Sequence, residues 1–223
     1  ALKSAGYKYS KKININWIDS EDLEKENVNL KEIFKNTNGI LVPGGFGTRG
    51  ISGKIKAINY ARVNKIPFLG ICLGMQLAVI EFARNVAGIK DASSTEFDEM
   101  CKNPVIDLMA DQKSIINMGG TLRLGNYECS LKEKTLAHKV YKEDKILERH
   151  RHRYEFNNEY KELLEQKGLV FSGINEASNL VEIVEIPTHP HFIASQFHPE
   201  FKSRPTRPHP LFDSFIKASI DKK

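Results

Sequence analysis

Short apolar runs alternate with helically spaced ones through the first half of the chain. Residues 13–18, 39–42 and 67–70 are brief and apolar, as buried parallel strands require. Residues 29–35, 53–64 and 75–86 carry apolar positions at the three-and-four spacing of helices. Strand and helix in alternation, joined by short connections, predict an α/β domain with a mostly parallel sheet covered on both faces. The second half has another texture. Residues 120–124 and 126–131 alternate apolar with polar and meet at Gly125, which predicts an antiparallel pair. Residues 146–156 form a long extended stretch, 157–166 a helix, and 169–174, 180–185 and 192–197 further strands. An amphipathic helix over 211–220 closes a mixed sheet with an antiparallel extension. At the other end, residues 1–6 have the pattern of a last helical turn closed by Gly6, so further residues are expected before Ala1.

Composition narrows the classes. With 223 residues the chain can build one large α/β domain with a full core. No apolar run approaches the length of a membrane span and no signal-peptide pattern opens the sequence. Cys72, Cys101 and Cys129 are widely spaced with no CxxC pair, which favours free thiols in a reducing, cytoplasmic setting over a disulfide framework or a zinc site. The net charge of +5 is spread along the chain and does not form a nucleic-acid footprint.

One segment stands out for its chemistry. The apolar run 66–69 ends in Gly70-Ile-Cys72-Leu-Gly74, and a helical pattern follows at once. This is the layout of a strand–turn–helix elbow that pushes a reactive side chain out of the sheet. The start of the following helix is expected to lower the thiol pKa. A small buried core cysteine at a strand end is the competing reading. A thiol nucleophile needs a base and a group to orient it. Of seven histidines, His198 differs in following an apolar strand directly, in Gln196-Phe-His198-Pro-Glu200. Pro199 biases the residue before it toward extended geometry, so Glu200 can hold one imidazole nitrogen and leave the other for the sulfur; a capping histidine beside a surface carboxylate is the alternative. The third element, Pro43-Gly-Gly45-Phe-Gly47, also follows a short apolar run. It can cradle a phosphate, although it lacks the Lys-Ser/Thr of a P-loop, or it can form an oxyanion hole in which Gly45 and Leu73 supply the N–H groups.

Taken in order, Pro-Gly-Gly, Gly-Ile-Cys-Leu-Gly-Met-Gln and Phe-His-Pro-Glu resemble the triad-type (class I) glutamine amidotransferases. Finer segments, including Ser94-Thr-Glu96-Phe97, residues 119–125 and Glu148-Arg-His-Arg-His-Arg153-Tyr154, are similar to the glutaminase domains of CTP synthases, over essentially the whole chain. The resemblance implies a flavodoxin-like core and hydrolysis of L-glutamine to L-glutamate and ammonia. It makes Cys72 the nucleophile, His198 the base and then the acid, and Glu200 its orienter. Gly45 and Leu73 become the oxyanion donors, and Gln76, Glu96 and Arg153 line the glutamine pocket, with Glu96 suited to the α-ammonium and Arg153 to the α-carboxylate. It implies no metal or cofactor in this domain. ATP, Mg and UTP belong to a separate N-terminal synthetase domain that this chain does not include, and GTP is the family's activator. The full enzyme is expected to be a homotetramer and this domain alone a monomer, with no nucleic-acid or membrane partner. Rival readings are an amidotransferase serving another acceptor, as in GMP or carbamoyl phosphate synthesis, a γ-glutamyl peptide hydrolase, and a glutamine-binding or assembly module without turnover. The intact Cys–His–Glu set argues against the last of these.

Overall fold

The computed structural model describes residues 1–108 and 122–222. A seven-stranded mixed sheet runs through the centre. In chain order the elements are α1 (Leu2–Lys8), α2 (Leu30–Ile33), β1 (Ile40–Val42), α3 (Ile51–Val63), β2 (Phe68–Ile71), α4 (Leu73–Asn85), β3 (Ala92–Ser94) and β4 (Asn103–Asp107). There follow β5 (Arg123–Leu131), α5 (Leu136–Tyr141), β6 (Lys145–His152), β7 (Glu155–Phe156), α6 (Lys161–Gln166), β8 (Val170–Asn175), β9 (Leu180–Glu185), β10 (Phe192–Ser195) and α7 (Pro210–Asp221). The main sheet is ordered β1-β2-β10-β9-β8-β5-β6, and β3, β4 and β7 form a smaller one. β2 pairs in parallel with β1 and β10, while every pairing from β10 out to β6 is antiparallel. The expected mixed α/β architecture is present, and its antiparallel extension is wider than its parallel core.

Alternation along the central strands feeds two cores. Phe68, Phe192 and Val184 face α3 and α4, whereas Leu69, Ile193 and Ile183 face α1, α5 and α7. With both faces covered, these strands are buried at every position, which is why they read as largely apolar runs interrupted only by Glu182, Glu185 and Ser195. Phe68 and Phe192 are register partners and stack with ring centroids 4.4 Å apart. Where α3 crosses α4, the fully buried Glu81 takes hydrogen bonds from Arg62 at 2.7 and 2.8 Å, Asn59 at 2.8 Å and Asn85 at 3.1 Å. A carboxylate can lie there only because its lone pairs are filled.

Four expectations are corrected. Residues 13–18 join no sheet among the described residues, and Trp17 is 88% exposed. An alternating pattern becomes a strand only where a free edge lies in register, and none meets this segment. Gly6 does not close α1. The helix continues through it to Lys8, and the glycine provides room: a side chain there would strike Ile13 Cγ1 at 2.4 Å and the Lys11 carbonyl at 2.8 Å. Gly125 is not a hairpin turn either. It sits at φ 102° within β5, opposite His150 of β6. The extended stretch 146–156 divides into β6 and β7, which belong to different sheets. Residues 120 and 121 of the expected first hairpin strand lie outside the described residues.

Candidate active site

β2 ends at Ile71 and α4 begins at Leu73, which leaves one residue, Cys72, to turn the chain. It does so at φ 53°, ψ −106°, a left-handed backbone that an L side chain adopts only under constraint. Two constraints are visible. The Cys72 N–H donates to the Ser195 carbonyl at 2.7 Å, and the helix presses back onto the strands. A Cβ on Gly70 would meet the Gly74 carbonyl oxygen at 2.7 Å, and one on Gly74 would meet that of Val42 at 2.1 Å. The two glycines flanking the cysteine are therefore required by close approach. Strain at a single residue between packed elements is the geometry of a nucleophile elbow.

The thiol itself departs from expectation. Burial pushes it up to about 12, with nearby Glu200, Glu155 and Glu96 adding to the effect. The Leu73 N–H at the start of α4 pulls the other way, as a helix start should, but desolvation outweighs it. Cys72 is thus a neutral thiol at rest, and its S–H lies 4.0 Å from the Arg151 carbonyl oxygen. It needs a base close by.

His198 lies beyond the end of β10 and donates its backbone N–H to the Arg149 carbonyl of β6 at 2.8 Å. Pro199 starts a single 3-10 turn, Pro199–Phe201, that carries Glu200 back toward the ring. His198 Nδ1 is 2.6 Å from Glu200 Oε1, and Phe201 stacks on the imidazole with centroids 5.0 Å apart. Because the carboxylate accepts from Nδ1–H, the lone pair of the neutral ring lies on Nε2, which is buried and has no hydrogen-bond partner among the described residues. Gly44 shows how near the ring is to the cysteine. A methyl group on that residue would lie 2.8 Å from His198 Cε1 and 3.4 Å from Cys72 Cβ.

The other sequence candidates gather around this pair. Gly45 packs against Leu73, whose Cδ2 would be 3.2 Å from a Cβ at that glycine, so the two residues singled out as oxyanion donors are neighbours. Glu96 accepts the Gly47 N–H at 2.8 Å. Burial raises its carboxyl pKa, while the Gly47 amide and the charge of Arg153 oppose the shift. Gln76, in the first turn of α4, donates to the Tyr154 carbonyl at 3.0 Å and lies 3.3 Å from Gln196 Oε1.

A further group escaped the sequence. β6 alternates, with Leu147, Arg149 and Arg151 outward and Glu148, His150 and His152 inward. The inward imidazoles meet each other, His150 Nδ1 to His152 Nε2 at 2.8 Å, and His152 Nδ1 is 3.3 Å from the Tyr154 carbonyl oxygen. Arg123 of β5 places Nη1 2.7 Å from Glu182 Oε1 and 3.6 Å from Glu155 Oε1. The period-two spacing of the Arg–His run was the available signal.

Comparison with known proteins follows the same lines. A family model described as Glutamine amidotransferase class-I matches residues 1–218. CTP synthase of Caldanaerobacter subterraneus subsp. tengcongensis is 60% identical over 223 residues, 100% of this chain, and that of Bacillus subtilis 55% identical over 221 residues, 99% of it. The chain spans 41% of the length of each of these relatives. Among solved structures, the glutaminase domain of Trypanosoma brucei CTPS with bound acivicin superposes with a TM-score of 0.92 at 39% identity, covering 100% of this chain and 86% of that one. A glutamine amidotransferase of Thermotoga maritima shares the fold at a TM-score of 0.56 and 14% identity, over 99% of this chain and 90% of that one.

Proposed function

The chain belongs to the class-I glutamine amidotransferase family and, within it, to the glutaminase domains of CTP synthases, and from that premise we propose that Cys72, His198 and Glu200 hydrolyse L-glutamine to L-glutamate and ammonia. The observation that carries the reading is His198, held through Nδ1 by Glu200 at 2.6 Å, its Nε2 unpartnered beside the strained cysteine.

Glu96 takes the α-ammonium of glutamine, Arg153 the α-carboxylate, and Gln76 lines the pocket. His198 Nε2 accepts the Cys72 thiol proton as sulfur attacks the side-chain amide carbon. Burial keeps this thiol protonated at rest, so the attack depends on His198 to take its proton. The tetrahedral oxyanion is received by the N–H groups of Gly45 and Leu73, a donor of this kind being worth about 3–4 kcal/mol. His198 returns its proton to the amide nitrogen, the C–N bond breaks and ammonia leaves. Water, deprotonated by the same imidazole, opens the γ-glutamyl thioester to glutamate and restores the thiol. No cofactor is called for within this domain.

The relatives named above are longer, and this chain corresponds to 41% of them. In the complete enzyme the ammonia passes to a synthetase domain that uses ATP to aminate UTP to CTP, the place where Mg and nucleotides act, with GTP as activator. A cytoplasmic, reducing setting suits three free cysteines, two of them buried, and no described helix is long and apolar enough to cross a membrane.

Incubation with a diazo-ketone analogue of glutamine, followed by intact-mass measurement, tests the reading. A single adduct that disappears in Cys72→Ala is expected. A folded sample that gains no mass overturns it.

A further inference from the structure

Behind the site lies a buried ionisable cluster that the reaction above does not use. Arg123 from β5, Glu155 from β7, Glu182 from β9 and the His150–His152 pair from β6 are all nearly inaccessible. They bring two carboxylates to one guanidinium. Tyr127 lies under Arg123 at 4.2 Å and edge-on to His150, and Cys129, Cys72 and His198 are the remaining titratable neighbours.

The hydrogen bonds of this cluster have a direction. A backbone carbonyl can only accept, so the 3.3 Å hydrogen bond to Tyr154 puts a proton on His152 Nδ1, and Glu155 Oε1, also 3.3 Å away, faces the same N–H as a second acceptor. With both rings neutral, His152 Nε2 must then accept from His150 Nδ1 at 2.8 Å. That leaves His150 Nε2 as a lone pair facing Glu182 Oε2 at 3.5 Å, with no hydrogen-bond partner among the described residues. Glu182 therefore presents its two oxygens to opposite partners: Oε1 to the Arg123 donor and Oε2 to a ring acceptor. A neutral carboxyl satisfies both and an ionised one does not. Burial, and then neighbouring positive charge, lower His150 to about 2 and His152 to about 3, while burial lifts Glu182 to about 7 against the pull of Arg123 and lifts Glu155 well above the usual carboxylate range.

We propose that Glu182 heads a one-way hydrogen-bond chain through His150 and His152 to the Tyr154 carbonyl, and that this chain positions the glutamine site. The Tyr154 carbonyl is the one Gln76 also grips, Arg153 precedes it, and β6 offers the Arg149 and Arg151 carbonyls to His198 and Cys72. Glu182, His150 and His152 are positioning residues rather than catalytic ones. Their role rests on the glutaminase reading.

The test has two arms on the chain as it stands. Long-range proton–nitrogen correlation at neutral pH reports each imidazole tautomer without any activity. Both His150 and His152 are expected as neutral Nδ1–H rings, and an Nε2–H tautomer or an imidazolium at either position overturns the proposal. In the kinetic arm, Glu182→Gln preserves the carbonyl for Arg123 and a permanent N–H for His150. It is expected to keep kcat/KM for glutamine within about threefold of the parent, whereas Glu182→Ala raises KM by at least about tenfold with kcat less affected. A glutamine variant as impaired as the alanine variant would mean that Glu182 acts as an anion, and the chain fails. If the parent itself turns over no glutamine, the proposed function is lost and the tautomers still decide this inference.

Discussion

Glu96 Oε1 accepts the Gly47 N–H at 2.8 Å, so the glycine loop after β1 is tied to the segment that follows β3. One carboxylate thus holds the loop in place. Glu96→Gln keeps an acceptor for Gly47 and removes the charge proposed to meet the α-ammonium. A charge-assisted hydrogen bond contributes about 1.5–3 kcal/mol, so KM for glutamine should rise roughly ten- to hundredfold with kcat nearly unchanged. Steady-state glutaminase assays check this, and an unaltered KM would place the ammonium elsewhere.

Gly44 and Gly74 separate chemistry from stability. A methyl group on Gly44 would crowd His198 Cε1 at 2.8 Å, so Gly44→Ala should lower kcat/KM by about 10²-fold through misplacement of the base, with little change in melting temperature. Gly74→Ala drives its methyl into the Val42 carbonyl at 2.1 Å and should lower the melting temperature itself. Calorimetry beside kinetics distinguishes the two.

Glu200→Gln leaves a side chain of the same shape but removes the anion that steadies the imidazolium. Acylation of Cys72 should slow by about 10²-fold while glutamine binding stays near normal, measured by single-turnover kinetics. A parental rate would exclude Glu200 as the orienter.

The raised thiol has a signed pH consequence. In the unfolded chain Cys72 ionises near 9, and in the folded protein near 12. Between those values the folded state holds a proton that the unfolded state has released, so stability falls as pH rises through that window and is unaffected by this group below it. Urea midpoints at pH 8 and 10 should diverge in the parent, and Cys72→Ser should remove part of the difference. Alkylation by a neutral haloacetamide should still be accelerating at pH 10 instead of levelling off near 9.

Away from the site, Arg62→Met leaves the fully buried Glu81 without its cation. The expected loss is about 3–5 kcal/mol, read from denaturant midpoints, and the double variant Arg62→Met, Glu81→Leu should regain most of it.

Legibility in the sequence followed locality. The elbow could be read because everything that shapes it, two glycines, a cysteine and an apolar strand, lies within a few residues. His198 and Glu200 could be read for the same reason, their geometry being set by Pro199 between them. Residues 13–18 mislead because a strand is a property of a pair, and the sequence does not announce whether an edge is in reach. Gly125 and Gly6 look like stops, although each lies inside a continuous element, Gly125 for its positive φ within β5 and Gly6 for its close approach to Ile13. The inward histidines were hidden most deeply. Alternation tells which residues of β6 share a face, but that this face meets Glu182 and Glu155 depends on strands far along the chain.

β6 is the last strand of its sheet, and its outward carbonyls would ordinarily be a liability, an open template on which another chain can assemble. Here that margin is filled from within, since the His198 amide caps Arg149 and the Cys72 thiol stands opposite Arg151. Selection for keeping the molecule soluble and selection for turnover therefore act on the same few backbone groups. A variant that unseats the loop bearing His198 would lose activity and, in the same event, bare a sticky border, so inactive forms of this protein should be over-represented among those that precipitate.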